Sequence, residues 1–253
     1  MKLRLLLSLC ALVAVAVGVW PAAAGADPFA GPPICASAGT ALRGHHHGNL
    51  IVSGDAYVPG GKTLRVSGNL KIGPGACLDA FTLGTVHVRG NIRVGEGAVL
   101  ALGCTPSSIG PGPPCNNKTT NDTVGGNIVA EDALTMYLDG NTVHGNVISR
   151  GGGPGLHGAF INFPIKDNTI DGDLIVRGWK GGWAGAIRNT VGGDLVWTKN
   201  GSVQDTDSNE VQTNVVTGDL RCYGSSPAAQ VNAADGGQPN TVGGDKLGQC
   251  AAL

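Results

Sequence analysis

Gly68-Asn69-Leu70-Lys71-Ile72 is one copy of the short unit that decides the fold of this 253-residue chain: a Gly, then Asn or Asp, then an alternating apolar run. The unit recurs from Gly48, Gly90, Gly126, Gly145, Gly172, Gly193 and Gly218, and in a decayed form as Gly244-Asp245-Lys246-Leu247. Successive Gly-to-Gly gaps are 20, 22, 36, 19, 27, 21, 25 and 26 residues. Self-similarity at such a period marks a solenoid in which each turn is one repeat.

Counting by twos gives Val66, Gly68, Leu70 and Ile72 in one turn and Ile170, Gly172, Leu174 and Val176 in another, with Asn69, Lys71, Asp171 and Asp173 between them. A period of two with one apolar face is a strand buried on one side, whereas a helix repeats at three and four. The Gly keeps the inward parity without a side chain, which marks a bend where the coil narrows. One unit alone leaves its apolar face wet. Stacking buries these faces as a column at about 4.8 Å per turn, a rod of about 43 Å. The irregular gaps favour the right-handed form, since left-handed solenoids keep a strict hexapeptide period. The expected fold is all-β, a single-stranded right-handed parallel β-helix of about nine turns with disulfide-closed caps.

In the later repeats a second Asn stands four residues before the Gly, at Asn141, Asn168, Asn189, Asn214 and Asn240. Asn suits turn geometry and stacked amides hydrogen-bond as a ladder, so these residues are read as structural.

Lys2 and Arg4, the apolar run Leu5 to Val19, and the small residues from Ala22 to Ala26 make residues 1–26 an export signal. The run is shorter than a membrane span, and Leu9 before Cys10 does not suit a lipoprotein site, so secretion rather than anchoring is expected. The remaining order is an N-terminal cap at 27–44, repeats at 45–221 with a loop insert at 104–115, and a C-terminal cap at 222–253. Capped ends favour a monomer over an end-to-end polymer. Past the signal, an even set of cysteines in an exported chain reads as a disulfide framework. Adjacency in a solenoid pairs Cys35 with Cys77, Cys104 with Cys115, and Cys222 with Cys250. Paired C-x-x-C knuckles are missing, so neither zinc nor another cofactor is expected. With 17 Lys and Arg against 18 Asp and Glu, the chain offers no electrostatic footprint for nucleic acid or anionic lipid.

The segment Val58-Pro59-Gly60-Gly61-Lys62-Thr63-Leu64, the Gly97 to Leu100 unit, and the ending Asn240-Thr241-Val242 with Gly248-Gln249-Cys250-Ala251 resemble exported β-helix proteins of actinobacteria. The resemblance covers nearly all of the mature chain and implies a fold and a compartment, with no activity attached. More loosely, the Gly-Asn-x-x-Val and Gly-Ala-x-Leu units look like those of the polymer-forming bactofilins.

β-Helix lyases and hydrolases need a calcium-binding carboxylate cluster with an Arg base, or neighbouring Asp residues for acid and base work. Asp171 and Asp173 share one strand face in this reading, and Asp194 and Asp219 stack near Asp173, making Asp171, Asp173 and Asp194 the calcium candidates. Asn fills the same place in earlier repeats, so a hydrogen-bonding role explains these Asp equally well. His45-His46-His47 point alternately to opposite faces, which spoils a three-ligand metal site, and His87 and His144 fall on the outward parity without an obvious partner. Trp179 and Trp183 with Lys180 between them, joined by Arg188, are the ligand candidates: two rings as a flat platform for sugars, with cations for uronic or phosphate groups. Trp197 has inward parity and belongs to the core. An ice-binding rank of Thr-x-Thr on successive turns is not found.

The expected function is that of an exported, non-catalytic structural or interaction module at the cell surface or in the extracellular matrix, with a polysaccharide as the partner. The alternative is a carbohydrate-binding protein, or a polysaccharide lyase or hydrolase of the pectin-lyase-like type.

Overall fold

A computed structural model of the chain describes residues 34–35, 39–81, 83–106, 115 and 118–253. The expected export signal at 1–26 and residues 107–114 of the loop insert lie outside them. Three parallel sheets, of eight, nine and nine strands, wrap the described residues into a solenoid of about nine turns. One turn runs through a strand of the first sheet, Asp55–Tyr57, one of the second, Thr63–Val66, and one of the third, Leu70–Ile72, before Cys77–Asp79 begins the next turn on the first sheet.

The strands are two to five residues long, and most of those on the second and third sheets alternate buried with more exposed residues. On the third sheet Leu70, Ile92, Ile128, Val147, Leu174, Leu195 and Leu220 stack in register and are sealed from solvent. On the second sheet Val66, Val88, Val124, Val143, Ile170, Val191 and Val216 do the same. Trp197 is completely buried among them, its indole N–H donating to Asn209 Oδ1 at 2.9 Å. These aliphatic columns supply the hydrophobic driving force that no single turn has.

Each of the three corners has its own chemistry. Between the first and second sheets Gly103, Gly140, Asp167, Arg188 and Thr213 hold φ between 56° and 85°, and between the third and first sheets Asp132, Gly151, Gly178, Lys199 and Gly224 hold φ between 51° and 78°. A left-handed residue follows the strand at each of these corners, and Gly takes the conformation without strain. The corner between the second and third sheets is the Gly-Asn or Gly-Asp unit itself. A Cβ on Gly68 would stand 2.5 Å from Asn49 Oδ1 of the turn before, and one on Gly193 would stand 2.1 Å from Asp173 Oδ1. The Gly is therefore required by the side chain of the preceding turn, a more specific reason than a general narrowing of the coil.

The stack runs beyond the boundaries expected from sequence. Thr40–Ala41 pairs with Asp55–Tyr57 inside the segment read as the N-terminal cap. Thr241–Val242 and Lys246–Gly248 continue the second and third sheets inside the segment read as the C-terminal cap. Disulfides join Cys35 to Cys77, Cys104 to Cys115 and Cys222 to Cys250. No helix among the described residues is long and apolar enough to cross a membrane.

Candidate interaction surface

Two polar ladders run along the stack, an exposed one from its first turns to its last and a buried one through the later turns. In the exposed one, Asn69 N–H donates to Asn49 Oδ1 at 2.8 Å, and the pattern repeats through Asn91, Asn127, Asn146, Asp173, Asp194 and Asp219 to Asp245. In the buried one, Asn141, Asn168, Asn189, Asn214 and Asn240 bond amide to amide at 2.8 to 3.0 Å, and each Nδ2 also donates to a backbone carbonyl of a neighbouring turn. The second ladder is the one read from the sequence, and its burial makes it the stiffer element.

The acidic candidates divide between two places. Asp173 and Asp194 belong to the exposed ladder, where each Oδ1 accepts the backbone amide of the next turn at 2.8 Å. Arg221 bridges Asp194 Oδ2 at 3.0 Å and Asp219 Oδ2 at 2.6 Å. The Asp245 amide and the Arg221 guanidinium hold the Asp219 carboxyl below the usual carboxylate range. Asp171 stands apart, in the bend before Gly172, where its Oδ2 lies 2.8 Å from His144 Nδ1 of the previous turn. The carboxylates that stack are thus already engaged by amides and a guanidinium.

Another acidic group, missed in the sequence, brings carboxylate oxygens of Asp207, Glu210 and Asp235 within 4.8 Å of one another. Asn232 Nδ2 sits among them and donates to all three, at 2.6, 3.4 and 3.0 Å, so an amide fills the position a cation would take. Burial pushes the Glu210 carboxyl above its ordinary range. Asp207 and Glu210 are near neighbours in sequence, and a short 3-10 helix, Ala233–Asp235, capped by Asn232, brings Asp235 to them.

The aromatic platform does not form. Trp179 is completely buried, packed 5.2 Å from the Phe163 ring, with its indole N–H donating to Leu134 carbonyl at 3.1 Å. Its parity belongs to the third-sheet corner and turns it inward. Trp183 lies on the outer side of the first sheet, over Gly185, and donates to Glu210 at 3.2 Å while the Lys166 ammonium sits 4.8 Å from its ring centre. Lys180 Nζ donates to Lys199 carbonyl at 2.5 Å. Arg188 grips Asp167 with Nε at 2.7 Å and a terminal nitrogen at 2.8 Å, which raises the guanidinium pKa. The four ligand candidates therefore serve the coil: one as core, three as surface ties.

What the register does build is an outward row on the third sheet. Val129, Ile148, Ile175 and Val196 stand in line on four successive turns, the first three half-buried and Val196 buried. On one side of the row runs the exposed Asn and Asp ladder, and on the other stand Glu131, Arg150, Arg177, Thr198 and Tyr223, also in register. Arg150 pairs with Glu131 at 2.7 Å. At the C-terminal end of the row Arg177, Val196, Thr198, Lys199, Arg221 and Tyr223 line a hollow of about 350 Å³. The result is a strip with aliphatic residues along its middle, the Asn and Asp ladder on one border and a mixed polar border with Arg150 and Arg177 on the other. No protein-family model, curated protein or solved structure matches the chain, so this surface stands on its own geometry.

Proposed function

We propose that the chain is a non-catalytic β-solenoid acting outside the cell as a structural or interaction module, with an extended polysaccharide held along the outer face of the third sheet. The observation that carries this reading is the outward row Val129, Ile148 and Ile175 beside Arg150 and Arg177. Contiguous apolar surface rimmed by polar groups marks an interaction site. A pyranose ring offers the matching surface, an apolar C–H face with hydroxyl or carboxylate groups at its edge. Three disulfides fit an oxidising, extracellular compartment. The ladder roles of Asp173, Asp194 and Asp219 support a binding function over an acid-base one.

The test is co-sedimentation with insoluble neutral, uronic and phosphate-bearing polymers, comparing the native chain with Ile148→Asp/Ile175→Asp and with Trp183→Ala. Retention by at least one polymer, lost in the double variant and kept in Trp183→Ala, is the expected result. Retention that depends on Trp183 moves the site to the first sheet. Release of reducing ends in the same incubations replaces binding by a lyase or hydrolase activity.

A further inference from the structure

His45 and His87 meet an arginine on the second sheet. Gly44–His46, Thr63–Val66, Thr85–Val88 and Thr123–Val124 stack in register, which places His45 beside Arg65, Arg65 beside His87, and His87 beside Thr123. Leu64, Val66, Val86 and Val88 are buried, so the residues alternating with them, Arg65 and His87, face outward. Arg89 and His144 reach the same hollow from the following corner; its volume is about 360 Å³. Five turns thus contribute to one depression.

The charges there are uncompensated. No carboxylate lines the hollow, and Asp171 touches only its rim, through His144. Arg150, Arg188 and Arg221 each hold a carboxylate elsewhere, whereas Arg65 and Arg89 have no ion pair among the described residues. Like charges one rung apart destabilise a sheet. Partial burial, and then the charge of Arg65, hold His87 below the ordinary imidazole range. The polar groups are also oriented: His87 Nδ1 lies 2.8 Å from Thr123 Oγ1, and Ser67 accepts Gly48 N–H at 2.8 Å, leaving its own O–H to donate.

We propose that this hollow binds a tetrahedral oxyanion, the group of a phosphate or sulfate ester, gripped by Arg65 and Arg89 and by His45 and His87 in their protonated form. A guanidinium fork matches the oxygens of such a group, and two guanidiniums with titratable imidazoles bring more positive charge than one carboxylate neutralises. A bound anion favours imidazolium, so affinity rises as pH falls through the histidine range. The groups facing the anion are His45, Arg65, His87, Arg89 and His144, with Asp171 behind His144 and neutral Thr123 beside His87. This site is separate from the third-sheet strip and stands or falls without it.

The experiment titrates the folded protein with sodium sulfate against chloride at constant ionic strength and follows the histidine ring resonances at pH 5.5 and 8. Sulfate stays dianionic over that range, so any pH dependence belongs to the protein. His45 and His87 signals are expected to shift saturably, with binding about tenfold tighter at the lower pH and about tenfold weaker in Arg65→Gln or Arg89→Gln. The melting temperature of each variant checks that it is folded. Lys71→Gln, on the third sheet and outside both proposed sites, is expected to leave binding unchanged. Methyl phosphate and a sulfated sugar separate the two sources of the oxyanion, and binding of either sustains the site. Unmoved His45 and His87 signals, equal weakening by Lys71→Gln, or glucuronate binding as tightly as sulfate would overturn the proposal.

Discussion

Asp122 occupies the place in the buried ladder where the next turns carry Asn141, Asn168, Asn189, Asn214 and Asn240. Its Oδ1 accepts the Val86 amide at 2.6 Å, as a ladder Asn would. A carboxylate lacks the N–H that an Asn would offer onward, and both Asp122 Oδ2 and Asn141 Oδ1 are buried without a hydrogen bond. Burial raises the Asp122 carboxyl from 3.8 to about 6. A carboxyl that holds its proton more tightly when folded favours the fold fully below its unfolded value near 3.8 and loses that advantage as pH rises through 6. The shift corresponds to roughly 3 kcal/mol at pH 8. Asp122→Asn supplies the missing donor, so its gain in unfolding free energy is expected to be small at pH 4 and to grow to a few kcal/mol by pH 8. Urea unfolding at the two pH values measures it, and a gain independent of pH would contradict the ladder assignment.

At the scale of the element, the ladders differ in what surrounds them. Asn189 is buried, takes the amide and side-chain N–H of Asn168, and gives its own N–H groups to Ile165 carbonyl and Asn214. Asn189→Ala strands those partners away from water and is expected to cost roughly 3 kcal/mol or more. Asn69→Ala opens the same kind of bond at an exposed corner, where water replaces it, and is expected to cost about 1 kcal/mol or less. Denaturation of both variants side by side tests the contrast, and equal losses would mean that burial does not set the value of a rung.

The strands and the buried ladder were legible because parity and the Asn spacing repeat locally, within each unit. The columns that cross turns were not, because a column depends on register, and register depends on how each insert is accommodated. The Thr residues illustrate this. A Thr-x-Thr pair does not occur, yet Thr123, Thr142, Thr169 and Thr190 align as a single outward rank, broken by Val215 before Thr241. The same blindness separated Trp179 from Trp183: their spacing suggested a shared face, but a corner lies between them, sending one ring to the core and leaving the other on the surface. Arg65 and His87 also meet only through register.

On the scale of the molecule, a quasi-one-dimensional stack is held by contacts between neighbouring turns, so its ends fray first. Cys250 ties the last turn to Cys222, and Leu253 packs against the core beyond it. Replacing both cysteines with Ser is expected to speed amide exchange in Thr241–Val242 and Lys246–Gly248 while Val147–Arg150 and Leu174–Arg177 keep their protection. Loss of protection through the whole stack would mean that the solenoid unfolds as one unit and that the disulfide is more than a local clasp.

The binding role assigned to the third sheet is tested most directly by hydroxyl-radical footprinting of the protein with and without the polymer that retains it. Side-chain oxidation is expected to fall at Ile148, Ile175 and Tyr223 and to stay unchanged at Phe160 and Trp183 on the opposite part of the turn. Unchanged oxidation along the third-sheet row, with protection at Trp183 instead, would contradict the account.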